Sequence, residues 1–294
     1  MKALRFGLVG TGPWATLAHG PGLQRAEGVE LVGLWGRSPE RTTALANTLG
    51  IRPYADYAAL LHDVDAVAFS VPPDVQAALA REAIAAGKHL LLDKPVALEP
   101  AVARQLESEA ALAGVLSVVF FTDRFAAGPR EWLAQVGEHG GWQGAWLRWF
   151  SALQEPDNPF GGSPWRQQRG ALWDTGPHAL SNAITTLGPV EEIWAHAGAS
   201  DLVHLVTRHT GGATATISLT QFSPPAAAHY TTTLWGDSGQ STMPQRPDGE
   251  ESAFLAVAAE ELVEAVRSGQ PHAVDLGYGA RITELIAEAD AQLA

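Results

Sequence analysis

The chain contains no cysteine, which removes disulfides, thiolate zinc sites and cysteine nucleophiles together and fits a reducing compartment. Positive charge is scarce. Against 32 Asp and Glu stand 19 Lys and Arg, for a formal net charge of −13, so the overall field does not attract nucleic acid or an anionic membrane surface. The pairs Lys2/Arg5 and Arg166/Arg169 are too sparse for a nucleic-acid patch. No stretch approaches the roughly 20 apolar residues that span a bilayer. The apolar run behind Met1-Lys2-Ala3-Leu4-Arg5 is broken by Gly7, Gly10, Gly12 and Pro13, which suits a strand rather than a signal peptide. The expectation is a soluble, cytoplasmic protein. Metal-ligand spacing is missing among the 10 histidines, so no metal is expected. Gly236-Asp237-Ser238-Gly239 lacks the following glycine of a serine-protease nucleophile turn.

What is present is a globular composition, 46% hydrophobic over 294 residues, long enough for two domains. Its organising stretch is Phe6-Gly7-Leu8-Val9-Gly10-Thr11-Gly12-Pro13-Trp14-Ala15. Ala3 to Val9 reads as a buried strand, Gly10 permits a tight turn, and Gly12 lacks the Cβ that would hold a pyrophosphate off the backbone. Ala15 lets the following helix pack close to the strand, while Pro13 suits a first helical turn whose free N–H groups face an anion. A Gly-x-Gly-x-x-Ala in a strand-to-helix context predicts dinucleotide binding.

Strands and helices then alternate. The helix after Pro13 is expected to break at Gly20-Pro21-Gly22. Val29 to Trp35 is the second strand, and Gly36-Arg37-Ser38 stands at its end, where an NAD-preferring fold usually carries an acidic residue for the ribose hydroxyls. A cation and a hydroxyl there suit a 2′-phosphate, so NADP is expected in preference to NAD. The structural alternative leaves Arg37 solvated or stacked on adenine and Ser38 as the cap of a helix over 39–49. Further helices are predicted over 56–61, 74–86 and 100–113, and further strands over 65–71, 89–92 and 115–121. Pro72-Pro73 closes one of these strands, and Asp93-Lys94-Pro95 follows another. Alternation of this kind predicts a parallel sheet covered on both faces.

Asp93-Lys94-Pro95-Val96-Ala97, with Gly10-Thr11-Gly12 and Gly87-Lys88-His89, resembles the glucose-fructose oxidoreductase, inositol dehydrogenase and MocA (Gfo/Idh/MocA) family of nicotinamide-dependent oxidoreductases. A second signature of that family is matched at Gly170-Ala171-Leu172-Trp173-Asp174-Thr175-Gly176-Pro177-His178, preceded by Pro164-Trp165-Arg166. The chain departs from the family in Asp93 where Glu is common, in Ser181 where an acidic residue often follows the histidine, and in Val75-Gln76 where many members have histidine. The resemblance implies an N-terminal Rossmann domain over 1–121. Over 122–294 it implies a substrate domain with a large, open, mainly antiparallel sheet, whose last helix packs back on the first domain. It also implies a homodimer or homotetramer through that sheet.

The second half agrees in pattern. A helix is predicted over 129–138 and a strand over 142–153, then a Pro/Gly/Asn-rich loop over 154–169 and a helix carrying both Asp174 and His178. Strands follow over 190–198, 202–209, 213–222 and 229–235, then a polar loop over 241–249 and helices over 251–268 and 278–293. By the resemblance, Lys94, Asp174 and His178 are the catalytic constellation. Gly10, Thr11, Gly12, Pro13, Trp14, Ala15, Gly36, Arg37, Ser38, Pro72, Pro73, Asp93 and Lys94 are the candidate cofactor contacts. An imidazole can exchange the proton of the reacting oxygen in either direction, Lys94 can stabilise alkoxide charge, and Asp174 can orient the substrate or the histidine. Taken singly, His178 could be a core histidine, Asp174 a helix cap and Lys94 a loop residue. Trp165 and Arg166 are candidate walls for a hydroxylated ring, with Trp142 and Trp173 less secure. The expected activity is hydride transfer between NADP (or NAD) and a sugar, cyclitol or related polyhydroxy compound. A dihydrodiol or tetrapyrrole substrate, or a non-catalytic nicotinamide sensor, are the alternatives.

Overall fold

A computed structural model describes every residue except Met1, Asp157 and Ala294. The chain divides into two compact units, one formed by Met1–Phe125 with Pro247–Thr283, the other by Ala126–Arg246 with Glu284–Ala294. No described helix is long and apolar enough to cross a membrane.

The first unit is built on six strands, β1 (Leu4–Val9), β2 (Val29–Trp35), β3 (Arg52–Tyr54), β4 (Ala66–Phe69), β5 (His89–Leu92) and β6 (Ser117–Val119), in the order β3-β2-β1-β4-β5-β6. Every pair is parallel. The central strands are apolar on both faces, as helix-covered parallel strands must be: Phe6, Leu8 and Val9 of β1 and all of β4 are buried. Crossovers run through α1 (Gly20–Arg25), α2 (Pro39–Leu49), α3 (Tyr57–Asp63), α4 (Pro73–Ala85) and α5 (Pro100–Ala113). The Ser38 hydroxyl caps α2 by accepting the Arg41 N–H at 3.3 Å, and Asp56 caps α3 by accepting that of Ala59 at 3.2 Å.

Gly20-Pro21-Gly22 does not break the first helix. Helical backbone runs from Pro13 to Arg25 through a π-segment, Ala15–His19, which closes where the Gly20 N–H donates to the Ala15 carbonyl. The wider turn precedes the proline that could not have continued an unmodified hydrogen-bond ladder. The glycines answer to packing: a Cβ on Gly20 would lie 2.7 Å from a Leu49 methyl, and one on Gly22 would lie 2.8 Å from the Ser252 carbonyl oxygen. The expected strands over 65–71 and 115–121 shorten to β4 and β6, because the chain leaves the ladder for turns. β3 pairs only with β2, so the ring of Pro53 is tolerated on an edge strand.

The second unit begins with α6 (Ala127–His139), β7 (Trp142–Phe150), α7 (Pro164–Asp174) and α8 (Gly176–Leu187). It continues as β8 (Val190–Ala197), β9 (Val203–His209), β10 (Thr214–Thr220), β11 (His229–Gly236) and β12 (Gly239–Thr242). The sheet order is β12-β11-β7-β10-β9-β8, antiparallel throughout except for the central β10–β7 pair. Alternation divides its faces. Ala145, Leu147, Ala215, Ile217 and Leu219 are buried. On the other face a row crosses all six strands through Trp194, Val206, Thr216, Trp146, Thr233 and Thr242, with Trp194, Trp146 and Val206 exposed by 48%, 47% and 40%.

Four expectations for this half change. The stretch 164–169, expected in the loop, forms the start of α7, and Gly170 at φ 65°, ψ −168° kinks that helix. Asp174 and His178 do not share one helix, since Asp174 ends α7 and His178 lies in α8 beyond the junction at Thr175. Residues 241–242 of the expected polar loop instead complete β12, which pairs with β11. The chain then returns to the first unit through α9 (Glu251–Ser268) and α10 (Leu276–Asp290), the latter divided between units after Thr283. The expected second domain over 122–294 includes α9, whereas α9 belongs to the first unit. It lies against α1, its Glu260 carboxylate accepting the Glu27 N–H at 2.9 Å.

Candidate functional site

At the carboxyl ends of β1, β2 and β4 the first unit opens a cleft of about 230 Å³ lined by Gly10, Thr11, Gly12, Trp35, Gly36, Arg37, Ser38, Arg41, Ser70, Val71, Pro72 and Val75. This is the topological switch point of the sheet, since β2 and β3 lie to one side of β1 and the chain then crosses over to β4 on the other. The Gly10 N–H donates to the Trp35 carbonyl at 2.9 Å and the Ser70 N–H to the Val9 carbonyl at 2.8 Å, which ties the three loops together.

The two motif glycines do different work. Gly10 sits at φ 122°, and a Cβ there would lie 2.2 Å from the Ser70 carbonyl oxygen. Gly12 has nothing within 4 Å of an added Cβ, so it leaves open the space that a phosphate would fill. Gly36 makes room for Thr11, whose Cγ2 would lie 2.7 Å from a Cβ at that position. Arg37 and Arg41 are exposed on the cleft, and neither guanidinium makes an ion pair among the described residues. Ser38 caps α2, and its hydroxyl donates to the Glu40 carboxylate at 2.9 Å. The Glu40 carboxyl is held below its usual pKa by its own backbone N–H and then by that hydroxyl.

Seven predicted cofactor residues thus line the cleft: Gly10, Thr11, Gly12, Gly36, Arg37, Ser38 and Pro72. Pro13, Trp14, Ala15, Pro73, Asp93 and Lys94 do not. Ala15 is fully buried in the π-segment, Trp14 lies with its ring centroid 6.5 Å from that of Phe120, and Pro73 begins α4. Asp93 and Lys94 follow β5, where the Lys94 N–H donates to Asp93 Oδ1 at 2.8 Å. Sequence reasoning missed Trp35, Arg41, Ser70, Val71 and Val75. Arg41 stands in the first turn of α2, beyond the Ser38 cap, so no spacing pattern ties it to Arg37.

In the second unit Asp174, Arg166 and Trp165 come together. Arg166 Nε donates to Asp174 Oδ2 at 3.0 Å, and its guanidinium lies 4.8 Å from the Trp165 ring centroid and 5.2 Å from that of Phe160. Gln221 Nε2 donates to the same carboxylate oxygen at 2.7 Å. Both side chains are largely shielded, at 21% exposure for Arg166 and 13% for Asp174, so water screens this pair less than a surface ion pair. The buried His178 stacks on Trp149 at 5.1 Å between ring centroids and 15° between planes. Trp149 stacks in turn on Tyr230, and the Arg246 guanidinium lies 4.9 Å from the Tyr230 centroid. Sequence inspection did not single out Gln221, Trp149, Tyr230 and Arg246. Trp149 and Tyr230 face one another only through the β7–β11 register. Trp142 and Trp173 are anchors: their indole N–H groups donate to the Val136 carbonyl at 2.8 Å and to Asp290 at 3.0 Å.

Residues 4–121 match the model of an oxidoreductase family with an NAD-binding Rossmann fold, and residues 133–242 match that of the GFO/IDH/MocA C-terminal domain. Over 102 residues the chain is 37% identical to an uncharacterized oxidoreductase of Rhizobium meliloti, covering 34% of this chain and 30% of that protein. It is 33% identical over 138 residues to galactose 1-dehydrogenase of Pseudomonas fluorescens, covering 46% and 43%. The chain spans about half or less of the length of the curated relatives it matches. An oxidoreductase from Agrobacterium radiobacter, solved with NAD+, L-tartaric acid and magnesium, shares the fold with a TM-score of 0.85 at 19% identity, over 99% of this chain and 96% of its own.

The glycine geometry makes a contrast that can be measured. Gly12→Ala is expected to unfold in urea with the wild-type midpoint but to bind NADPH at least about tenfold more weakly, because the methyl enters the cradle. Gly10→Ala is expected to lose stability outright through its clash with Ser70. Equal NADPH affinity for Gly12→Ala and wild type, read by fluorescence titration, would contradict the assignment.

Proposed function

The chain belongs to the Gfo/Idh/MocA oxidoreductase family, and we propose that it is an NADP-preferring dehydrogenase or reductase acting on the CH–OH or carbonyl group of a sugar, cyclitol or related polyhydroxy compound. The cleft carries this reading: a glycine turn with open space at Gly12 lies beside Arg37, just after β2, and Arg41, in the first turn of α2. Gly10, Thr11 and Gly12 would hold the pyrophosphate, and the two guanidiniums would meet a 2′-phosphate through charge-assisted hydrogen bonds. The nicotinamide, when bound, supplies or accepts the hydride. The polyhydroxy substrate class is supported by relatives named galactose 1-dehydrogenase and UDP-N-acetylglucosamine 3-dehydrogenase.

The residues of this chain divide the remaining work. His178, with its ring plane fixed by the stack on Trp149, takes the proton from the substrate hydroxyl in oxidation and returns it in reduction. Lys94 holds the substrate oxygen and stabilises the charge that develops on it. The Asp174 carboxylate, held at Oδ2 by Arg166 and Gln221, orients the substrate or the histidine. Trp165 and Arg166 contribute to the substrate pocket. A chain without cysteine supports a cytoplasmic setting. The exposed apolar row of Trp194, Val206 and Trp146 supports a homodimer or homotetramer, a second copy covering that sheet face.

Three measurements test these assignments. Lys94→Ala and His178→Ala are each expected to lower kcat by about 100-fold or more while NADPH affinity stays within about threefold; loss of binding and turnover in equal measure would remove them from the chemistry. Turnover is followed by nicotinamide absorbance across a panel of sugars and polyols. Replacing both Arg37 and Arg41 by alanine is expected to shift the NADPH:NADH affinity ratio toward NADH by about tenfold or more, and an unchanged ratio refutes the cofactor preference. Trp146→Glu is expected to give monomers in light scattering after size exclusion, whereas unaltered oligomers would move the interface elsewhere.

A further inference from the structure

Beyond Leu92 the parallel ladder of the first unit stops, since neighbouring β4 ends at Phe69 and β6 at Val119. The turn carrying Lys94 therefore needs hydrogen-bond partners from outside the sheet. One side chain supplies most of them. Gln76, fully buried on α4, accepts the Asp93 N–H on Oε1 at 2.8 Å and donates from Nε2 to the Asp93 carbonyl at 2.8 Å. The same Nε2 donates to the Pro95 carbonyl at 3.3 Å and reaches that of Val96 at 3.5 Å. The Asp93 carboxylate completes the set by accepting the Lys94 N–H at 2.8 Å.

A primary amide is suited to this task because it presents one acceptor and two donors in a plane, so it can replace a missing strand for both polar groups of Asp93. It also reaches the far side of the turn. Both residues flanking Lys94 are thereby bonded to the same side chain. The preceding residue on α4, Val75, lines the cofactor cleft, so one helical turn contributes to the cleft wall and to the lysine turn together.

We propose that Gln76 is a positioning residue for Lys94, setting where the lysine backbone stands relative to the cofactor cleft within the first unit. The inference rests on the reading of Lys94 as the cation that holds the substrate oxygen. Gln76→Leu keeps the bulk but strips the Asp93 N–H and carbonyl of their buried partners, so the turn must shift to satisfy them. Gln76→His retains one donor and one acceptor and can keep part of the clasp.

The test uses the intact enzyme with NADP+ present. The chain has only three lysines, Lys2, Lys88 and Lys94, so acetylation by a pulse of acetic anhydride can be followed at each by peptide mass spectrometry. Lys88, whose Nζ donates to the Val64 carbonyl at 2.9 Å, serves as internal reference. Gln76→Leu is expected to change the Lys94:Lys88 labelling ratio by about threefold or more and to lower kcat by about 100-fold, with the KM for NADPH within about threefold. Gln76→His is expected to recover most of both. An unchanged labelling ratio in Gln76→Leu would overturn the proposal, as would a loss that falls equally on Lys88 and that histidine does not rescue. Should Gln76→Leu fail to fold, Gln76→Glu carries the same expectation, because it keeps the acceptor for Asp93 but turns an oxygen toward the carbonyls. Lys94→Ala is assayed alongside. Full turnover without Lys94 would end the catalytic reading and this inference with it, whereas lost turnover in Lys94→Ala beside wild-type labelling and turnover in Gln76→Leu would end the inference alone.

Discussion

The nucleotide-binding half depends on one approach of backbone to backbone, that of Gly10 to the Ser70 carbonyl. No side chain fits between them: the Cβ of even an alanine would sit 2.2 Å from that oxygen. The contact brings the turn after β1 against the loop after β4, and the hydrogen bonds Gly10 N–H to Trp35 and Ser70 N–H to Val9 bring in the loop after β2. Three separate segments thus end side by side, joined by these two hydrogen bonds. Gly12, two residues on, faces open space.

The other half is organised by a sheet with two unlike faces. The inner face, against α8, is aliphatic near β9 and β10 and becomes aromatic toward β7 and β11, where Trp149 and Tyr230 stand opposite each other and His178 joins the stack. Gln221, just beyond β10, binds Asp174 through its side chain while its backbone N–H is held by Asp201 at 2.8 Å. Asp174 is therefore anchored from two directions, by Arg166 of its own helix and from the sheet. The break at Thr175 lets the carboxylate end one helix while the imidazole belongs to the next.

Much of this was legible where short-range chemistry decides it. β2, β5, α5 and α9 begin and end where alternation, prolines and terminal glycines indicated, and the glycine turn announced the cleft. Local signals misled where a long-range neighbour overruled them. Gly20 and Gly22 look like helix breakers until Leu49 and Leu255 are seen pressed against them. Pro53 disguises an edge strand, and the Pro/Gly-rich context of Ser163 hides the start of α7. The stack of Trp149, Tyr230 and Arg246 depends on strand register across some eighty residues of intervening chain, which no local pattern encodes. Arg41 reaches the cleft only because Ser38 starts α2 directly after the Arg37 turn.

The discontinuity of the first unit bears on how the chain is made. When residues 1–125 have left the ribosome, α1 still lacks its packing partner, since Ser252 and Leu255 of α9 are not yet synthesised. The edge of β6 is open too, until the Val274 carbonyl arrives to accept the Val119 N–H at 2.8 Å. At ordinary translation rates that interval is on the order of ten seconds. The nascent nucleotide-binding half passes it with an apolar helix face and a bare strand edge in solvent, a period in which chaperone capture or intermolecular strand pairing competes with native closure.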